Sequence, residues 1–304
     1  MLPNFPEFKK LELSDRTDVE RTTSKYPPYA DFNFEIMWSW DINGTVELSL
    51  LNGNLVFFNK NIFDNRLACS YLGDNRVNET LDQLFHFCKE KGFGSLHLSL
   101  VPEVSLSEIN FDKYFIEIDL SACDYVYDID RLAYLTGAEY SQKRTRLNSF
   151  TRNYPNVSVE MLNLSNPHER DEVLSLTNLW ESRKHETEHK HHASPDKEIS
   201  AMHRFIQSGF SNVMSVGVYE EKRLIGYSIF SLRKDSYAIS QFVKADTLYK
   251  GVYEYIMRES AILLNGLGYK FMNFQDDMGL PGLRQAKNSF RPVKFLRKYN
   301  IKQL

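Results

Sequence analysis

"VMSVGVYEEKRLIGYSIFSL" spans residues 213–232, and its reading decides the fold. Two apolar runs rich in β-branched residues flank Glu221-Lys222, the pattern of an antiparallel hairpin. "SYAISQFV" (236–243) is a third run of the same kind, ending at Lys244-Ala245-Asp246. From there the period changes. Val252, Tyr255, Ile256, Ile262 and Leu263 are spaced as the apolar side of a helix. Gly266 and Gly268 stop it, and "YKFMNF" (269–274) reads as a strand. Upstream, "VSVEML" (157–162) is a strand. Asn166-Pro167 then opens a helix, with asparagine at the cap and proline in the first turn. That helix offers Val173, Leu176 and Trp180 inward.

Residues 46–101 repeat this order with little identity. "VELSLLNGNLVFFN" is a hairpin broken at Asn52-Gly53, and "ACSYLG" is a third strand. Asp74 or Asn75 caps a helix with Val77, Leu81, Leu84, Phe85 and Cys88 on one face. Gly92 ends the helix, and "SLHLSLV" is a strand. "KLEL" and "DRTDVERTTSKY" supply the strand and helix ahead of the hairpin. Between the copies, "DIDRLAYLTGAEYSQKRTRLNSFTRNYP" is a helical connector broken at Gly137. A strand, one or two helices, an antiparallel meander, a helix and a parallel strand form the layout of the GNAT acyltransferase fold. The expectation is a mixed α/β chain of two similar GNAT-like domains, 1–128 and 129–304, the second including the connector.

Composition permits two cores. The chain has 304 residues, 42% hydrophobic and 13% aromatic, with a formal net charge of -3. That balance does not mark a nucleic-acid or membrane-surface protein. Charge is uneven, however: seven basic residues and no acid fall between Arg284 and Lys302. Cys69, Cys88 and Cys123 lack CxxC spacing and read as reduced, buried thiols of a cytoplasmic protein. "MLPNFPEFKKLEL" lacks the apolar run of a signal peptide, and no stretch approaches the ~18 apolar residues that span a bilayer. A lipid substrate would be met from the water side, by peripheral contact.

Four stretches carry a family resemblance: "YPPYADFNF" (26–34), "LNGNLV" (51–56), residues 125–155, and "NFQDDMGLPGLRQAKNSFRPVKFLRKY" (273–299). Together they resemble the cytosolic tandem-GNAT domain at the C-terminus of phosphatidylglycerol lysyltransferases. The pattern Tyr-x-x-Lys-Arg-x-x-apolar-x-x-Phe is met by Tyr140, Lys143, Arg144, Leu147 and Phe150. A second pattern is met by Asn273, Asp277, Met278, Gly279, Gly282, Leu283, Arg284 and Lys287. The sequence departs from it at Gln275, where the family commonly has an acid.

The resemblance implies a transferase of acyl or aminoacyl groups. The donor would be an aminoacyl-tRNA, as in the Fem-type peptidoglycan enzymes, or an acyl-CoA. The acceptor would be an amine or hydroxyl, a phospholipid head group included. No tightly bound cofactor is implied. An alternative is a GNAT-like module that has lost catalysis and binds a ligand. Acyl transfer needs orientation, a proton acceptor and oxyanion stabilisation. The match to the family motif makes Asp277, with Asp276 beside it, the expected proton acceptor. Arg284 and Lys287, three apart on one helix, would clamp a phosphate. Lys250 and Gly251 stand where GNAT domains hold the CoA pyrophosphate, although an ordinary helix start reads equally well. Lys143 and Arg144 are phosphate contacts or a solvated helix face. Trp180, His189 and Gln275 are acceptor contacts. His185 and His189 lie in "HETEH", which meets HExxH in form. Lys184 and Lys190 flank it and Ser194-Pro195 follows, so it reads as a polar loop and no metal is expected.

Overall fold

The computed structural model describes residues 1–60, 67–91, 97–187 and 196–304. These form two compact units. The first is Met1–Asp124 with Gln275–Arg284 and Phe295–Leu304, and the second is Tyr125–Phe274 with Gln285–Lys294. This division groups two C-terminal segments with the first unit, where a single cut at 128/129 leaves them with the second.

In the first unit, strands β1 (Lys9–Lys10), β2 (Glu47–Leu51), β3 (Asn54–Lys60) and β4 (Leu67–Leu72) form an antiparallel sheet in that order. Helices α1 (Arg16–Thr23) and α2 (Phe34–Trp40) lie between β1 and β2. Asn52 and Gly53 both have positive φ, as a two-residue hairpin turn needs. Helix α3 (Val77–Glu90) buries Val77, Leu81, Leu84, Phe85 and Cys88 as its spacing requires. Its cap differs from expectation. Arg76, in the left-handed region, precedes it, because Asn54 has already taken the Asn75 N–H and donates to the Asn75 carbonyl. Strand β5 (His97–Pro102) follows, then β6 (Tyr114–Ile118).

In the second unit, β7 (Asp124–Asp128) leads into α4 (Ile129–Tyr134), α5 (Ser141–Asn153), β8 (Val157–Met161), α6 (Pro167–Thr187) and α7 (Asp196–Ser208). The meander is β9 (Val213–Glu220), β10 (Arg223–Leu232) and β11 (Tyr237–Ala245). Helix α8 (Val252–Gly266) and strand β12 (Phe271–Asn273) complete it. Strands run in the order β7-β12-β11-β10-β9-β8, with β11 and β12 parallel and the other neighbours antiparallel. This is the mixed α/β, GNAT-like arrangement expected. The buried side of α8 is Val252, Ile256, Met257, Ala261 and Leu264. Ile262 and Leu263 are only half-buried, one position off the face the sequence spacing suggested.

The chain passes from the first unit to the second within helix α9 (Pro281–Ser289) and back within β13 (Lys294–Leu296). It ends in β14 (Lys298–Gln303), which sits between β5 and β6 in a three-stranded antiparallel sheet. Ile301 joins the core that α3 covers.

One glycine fixes the α5–α8 packing. Gly251 caps α8 with φ +99, and a Cβ there would stand 3.0 Å from the Phe150 Cβ and 3.1 Å from the Arg146 carbonyl oxygen. Gly251→Ala is expected to lower stability by about 1–3 kcal/mol in urea unfolding, from backbone strain alone. A change under about 0.3 kcal/mol, inside the scatter of harmless surface substitutions, would show that the contact yields.

Candidate functional site

The stretch that follows β12 is a chain of turns. Gln275, Met278 and Gly279 all have positive φ. Asp276 accepts the Met278 N–H at 3.0 Å, and Asp277 accepts the Gly279 N–H at 2.9 Å. Asp277 is 0% exposed. Arg284, in the first turn of α9, holds it with two parallel hydrogen bonds, Nε to Oδ2 at 2.7 Å and Nη2 to Oδ1 at 3.0 Å. This fork geometry is the strongest form of the pair. The expected proton acceptor and the expected phosphate clamp thus hold each other. Both Asp277 oxygens are engaged, which suits it to position Arg284 rather than to take a proton. The Arg284 side chain is 44% exposed. Lys287, the second expected clamp, donates to the Phe274 carbonyl at 2.6 Å, and Tyr127 Oη donates to the Lys287 carbonyl.

Near Asp276 lies a buried ionic cluster that the sequence did not announce. Lys298 is fully buried and pairs with Asp124 at 2.7 Å and with Asp31. Asp124 also accepts the Ala30 N–H at 2.7 Å. Burial pulls the lysine toward neutrality. The carboxylates of Asp124, Asp31 and Asp276 outweigh it, so its pKa is raised and the cation is retained. Burial pushes Asp124 the other way, up from the carboxylate range. With two carboxylates paired to it, Lys298 keeps its charge. Asp31 belongs to "YPPYADFNF" and Lys298 to the last resemblance stretch, so two of those stretches meet here.

In the second unit, Lys143 is buried. It reaches Glu254 in the first turn of α8 at 3.1 Å and lies 3.6 Å from the Phe290 ring centre. Arg146 adds 2.9 Å to the same Glu254 oxygen. Burial holds the Lys143 pKa below the ordinary lysine value. Burial also works to raise Glu254, but Lys143 and Arg146 outweigh it and the carboxyl stays below its usual range. A carboxylate therefore occupies the positive end of the helix. Arg144 donates to the Leu135 and Gly137 carbonyls that follow α4. Lys250 is exposed beside Gly251. Trp180 carries the Lys244 ammonium over its ring at 3.6 Å, and Lys244 pairs with Glu198 at 2.9 Å. Gln275 is half-buried. His189 lies outside the described residues, as does most of the histidine-rich stretch. Among the described residues no group of His, Cys, Asp or Glu has metal-ligand geometry, and no helix is long and apolar enough to cross a membrane. An open hollow of 510 Å³ between α6 and the β9–β10 turn is lined by His168, Glu172, Lys222 and Arg223, and by none of the expected site residues.

Residues 26–302 match the family described as phosphatidylglycerol lysyltransferase, C-terminal, and the chain belongs to that family. It is similar over its full length to a conserved protein of unknown function from Bacteroides thetaiotaomicron, at 22% identity and a TM-score of 0.83, with all of both chains covered. L-PGS from Bacillus licheniformis gives a TM-score of 0.63 at 12% identity, covering 99% of this chain and 93% of that one. An uncharacterized protein of Mycoplasmoides gallisepticum is 23% identical over 196 residues, 62% of this chain. The matched region spans 59% of that relative's length.

Two outcomes test the charge assignments. Glu254→Ala leaves Lys143 buried without its carboxylate and should cost about 3–5 kcal/mol, whereas Lys143→Met with Glu254→Leu should recover much of it. Because the folded pKa of Glu254 is depressed, its contribution is complete above the ordinary value of 4.5 and is lost as pH falls through the folded value. Acid titration of unfolding free energy should therefore show less loss below pH 4.5 in the double variant than in wild type. Equal slopes would contradict the pairing.

Proposed function

We propose that the chain is an aminoacyltransferase that takes its acyl group from an aminoacyl-tRNA and delivers it to a hydroxyl or amine, such as that of a phospholipid head group. The observation that carries this reading is the family match over nearly the whole chain. The α8 start supports aminoacyl-tRNA over acyl-CoA. A pyrophosphate at that helix N-terminus would meet the Glu254 carboxylate, already neutralised by Lys143 and Arg146. Gly251 adds to this, since its open side is filled by Phe150 and the Arg146 carbonyl.

In the reaction, the acceptor oxygen or nitrogen bonds to the acyl carbon. The bond from that carbon to the ribose oxygen breaks, and the acceptor's proton ends on the ribose oxygen. Arg284, held by Asp277, is placed to bind a phosphate of donor or acceptor. The proton-acceptor role then falls to Asp276, half-buried in the same turn. Gln275, half-buried in that turn, is an acceptor contact in this reading.

Transfer from lysyl- and alanyl-tRNA to phosphatidylglycerol vesicles is the direct assay. Asp276→Asn should lower kcat by about 100-fold or more with folding intact. Arg284→Lys loses the fork and should mainly raise KM. Should wild type transfer nothing from any charged tRNA or acyl-CoA, the chain is a ligand-binding module instead. The sealing of Asp277 by Arg284 and the glutamine at 275 favour that second reading.

A further inference from the structure

In the first unit, β6 is an edge strand. Its one neighbour among the described residues is β14. The ladder fixes which way its backbone points. The Asp119 N–H donates to the Lys298 carbonyl and the Leu304 N–H to the Lys113 carbonyl, both at 2.9 Å. Residues 113, 115, 117 and 119 therefore aim their backbone groups at β14, and Tyr114, Ile116 and Ile118 aim theirs at the open edge. The Tyr114 N–H is taken within the chain by the Asn110 carbonyl at 3.2 Å. The Tyr114 carbonyl and both backbone groups of Ile116 and Ile118 remain along that edge.

The side chains here are unusually apolar for an edge. Phe115 is 49% exposed, with Phe111 at 72% and Leu120 at 65% nearby. Natural edge strands are usually protected by charge, proline or a cover, and an uncovered apolar one pairs with another strand. The charges on this strand select the partner. Glu117 follows Phe115 by two residues and shares its face; Lys113, two residues before Phe115, is the turn residue that opens β6, with its carbonyl in the β14 ladder and its ammonium on Asp82.

We propose that β6 pairs antiparallel with β6 of a second copy of this chain, about a two-fold axis at Phe115. That axis sets Phe115 opposite Phe115 in a non-hydrogen-bonded pair, where side chains approach most closely. It sets Lys113 of each copy opposite Glu117 of the other, twice by symmetry. The Ile116 N–H of each copy meets the Tyr114 carbonyl of the other, two bonds in all, while each Tyr114 N–H stays with the Asn110 carbonyl. Lys113 currently reaches Asp82 at 3.1 Å, an exposed pair that is weak and readily exchanged.

Sedimentation velocity of the full chain tests this. Wild type is expected to dimerise at or below about 100 µM. Glu117→Lys sets like charges opposite each other twice and should weaken the dimer about 10-fold or more. Lys113→Glu combined with Glu117→Lys restores opposite charges and should return affinity to within about 3-fold of wild type. Phe115→Asp should leave monomer only. All three positions altered are exposed, and circular dichroism melting confirms that each variant folds. A wild type that is monomeric at about 100 µM, or a double variant no tighter than Glu117→Lys alone, overturns the proposal.

Discussion

A cation taken out of water has to meet a carboxylate, and that constraint organises both units. Lys298 is buried against Asp124 and Asp31, Lys143 against Glu254, and Asp277 is sealed by Arg284. Removing one member of such a pair leaves an uncompensated charge, which is far costlier than never having had the pair. These pairs therefore fix backbone as much as they stabilise it. The Asp277–Arg284 fork ties the left-handed turns after β12 to the first turn of α9. The Lys298 cluster ties β14 to the segment around Ala30 and Asp31. Three of the four stretches that carry the family resemblance contain a member of one of these pairs: Asp31, Lys143, and Asp277 with Arg284 and Lys298.

The same constraint bears on the donor. Helix N-termini attract anions, and a fold that holds a pyrophosphate keeps one such terminus open for it. Here the α8 terminus has its own anion in Glu254, with two cations already drawn to it. Binding a phosphate there would first require moving a buried carboxylate. The positive charge of the C-terminal segment is also spent locally. Lys287 is on the Phe274 carbonyl, Arg297 on Glu103 and Lys298 in its cluster.

What the sequence could convey was whatever is encoded over short spans. Alternation and the Asn52-Gly53 turn gave the hairpins, the 3.6-residue spacing gave α3, and Asn166-Pro167 gave the start of α6. The order of elements was enough for the mixed α/β class. What it could not convey was pairing at a distance. Lys143 and Glu254 are 111 residues apart and Lys298 and Asp124 are 174 apart. Nothing local signals that such charges will meet. For the same reason β14 could not be assigned to the sheet with β5 and β6, nor two C-terminal segments to the first unit. Asp277 and Arg284 are only seven apart, and there the residues were found but their relation was not. Residue type suggests a role for each toward a substrate, and the fork gives each a role toward the other.

Under the proposed function, a phosphate-bearing thioester does not bind at the start of α8. Calorimetric titration of the purified chain with acetyl-CoA and with free CoA tests it most directly. No heat of binding is expected up to about 1 mM, where any remaining affinity would be weaker than about 4 kcal/mol. Micromolar binding that is lost in Lys250→Glu would place CoA at that helix terminus and contradict it.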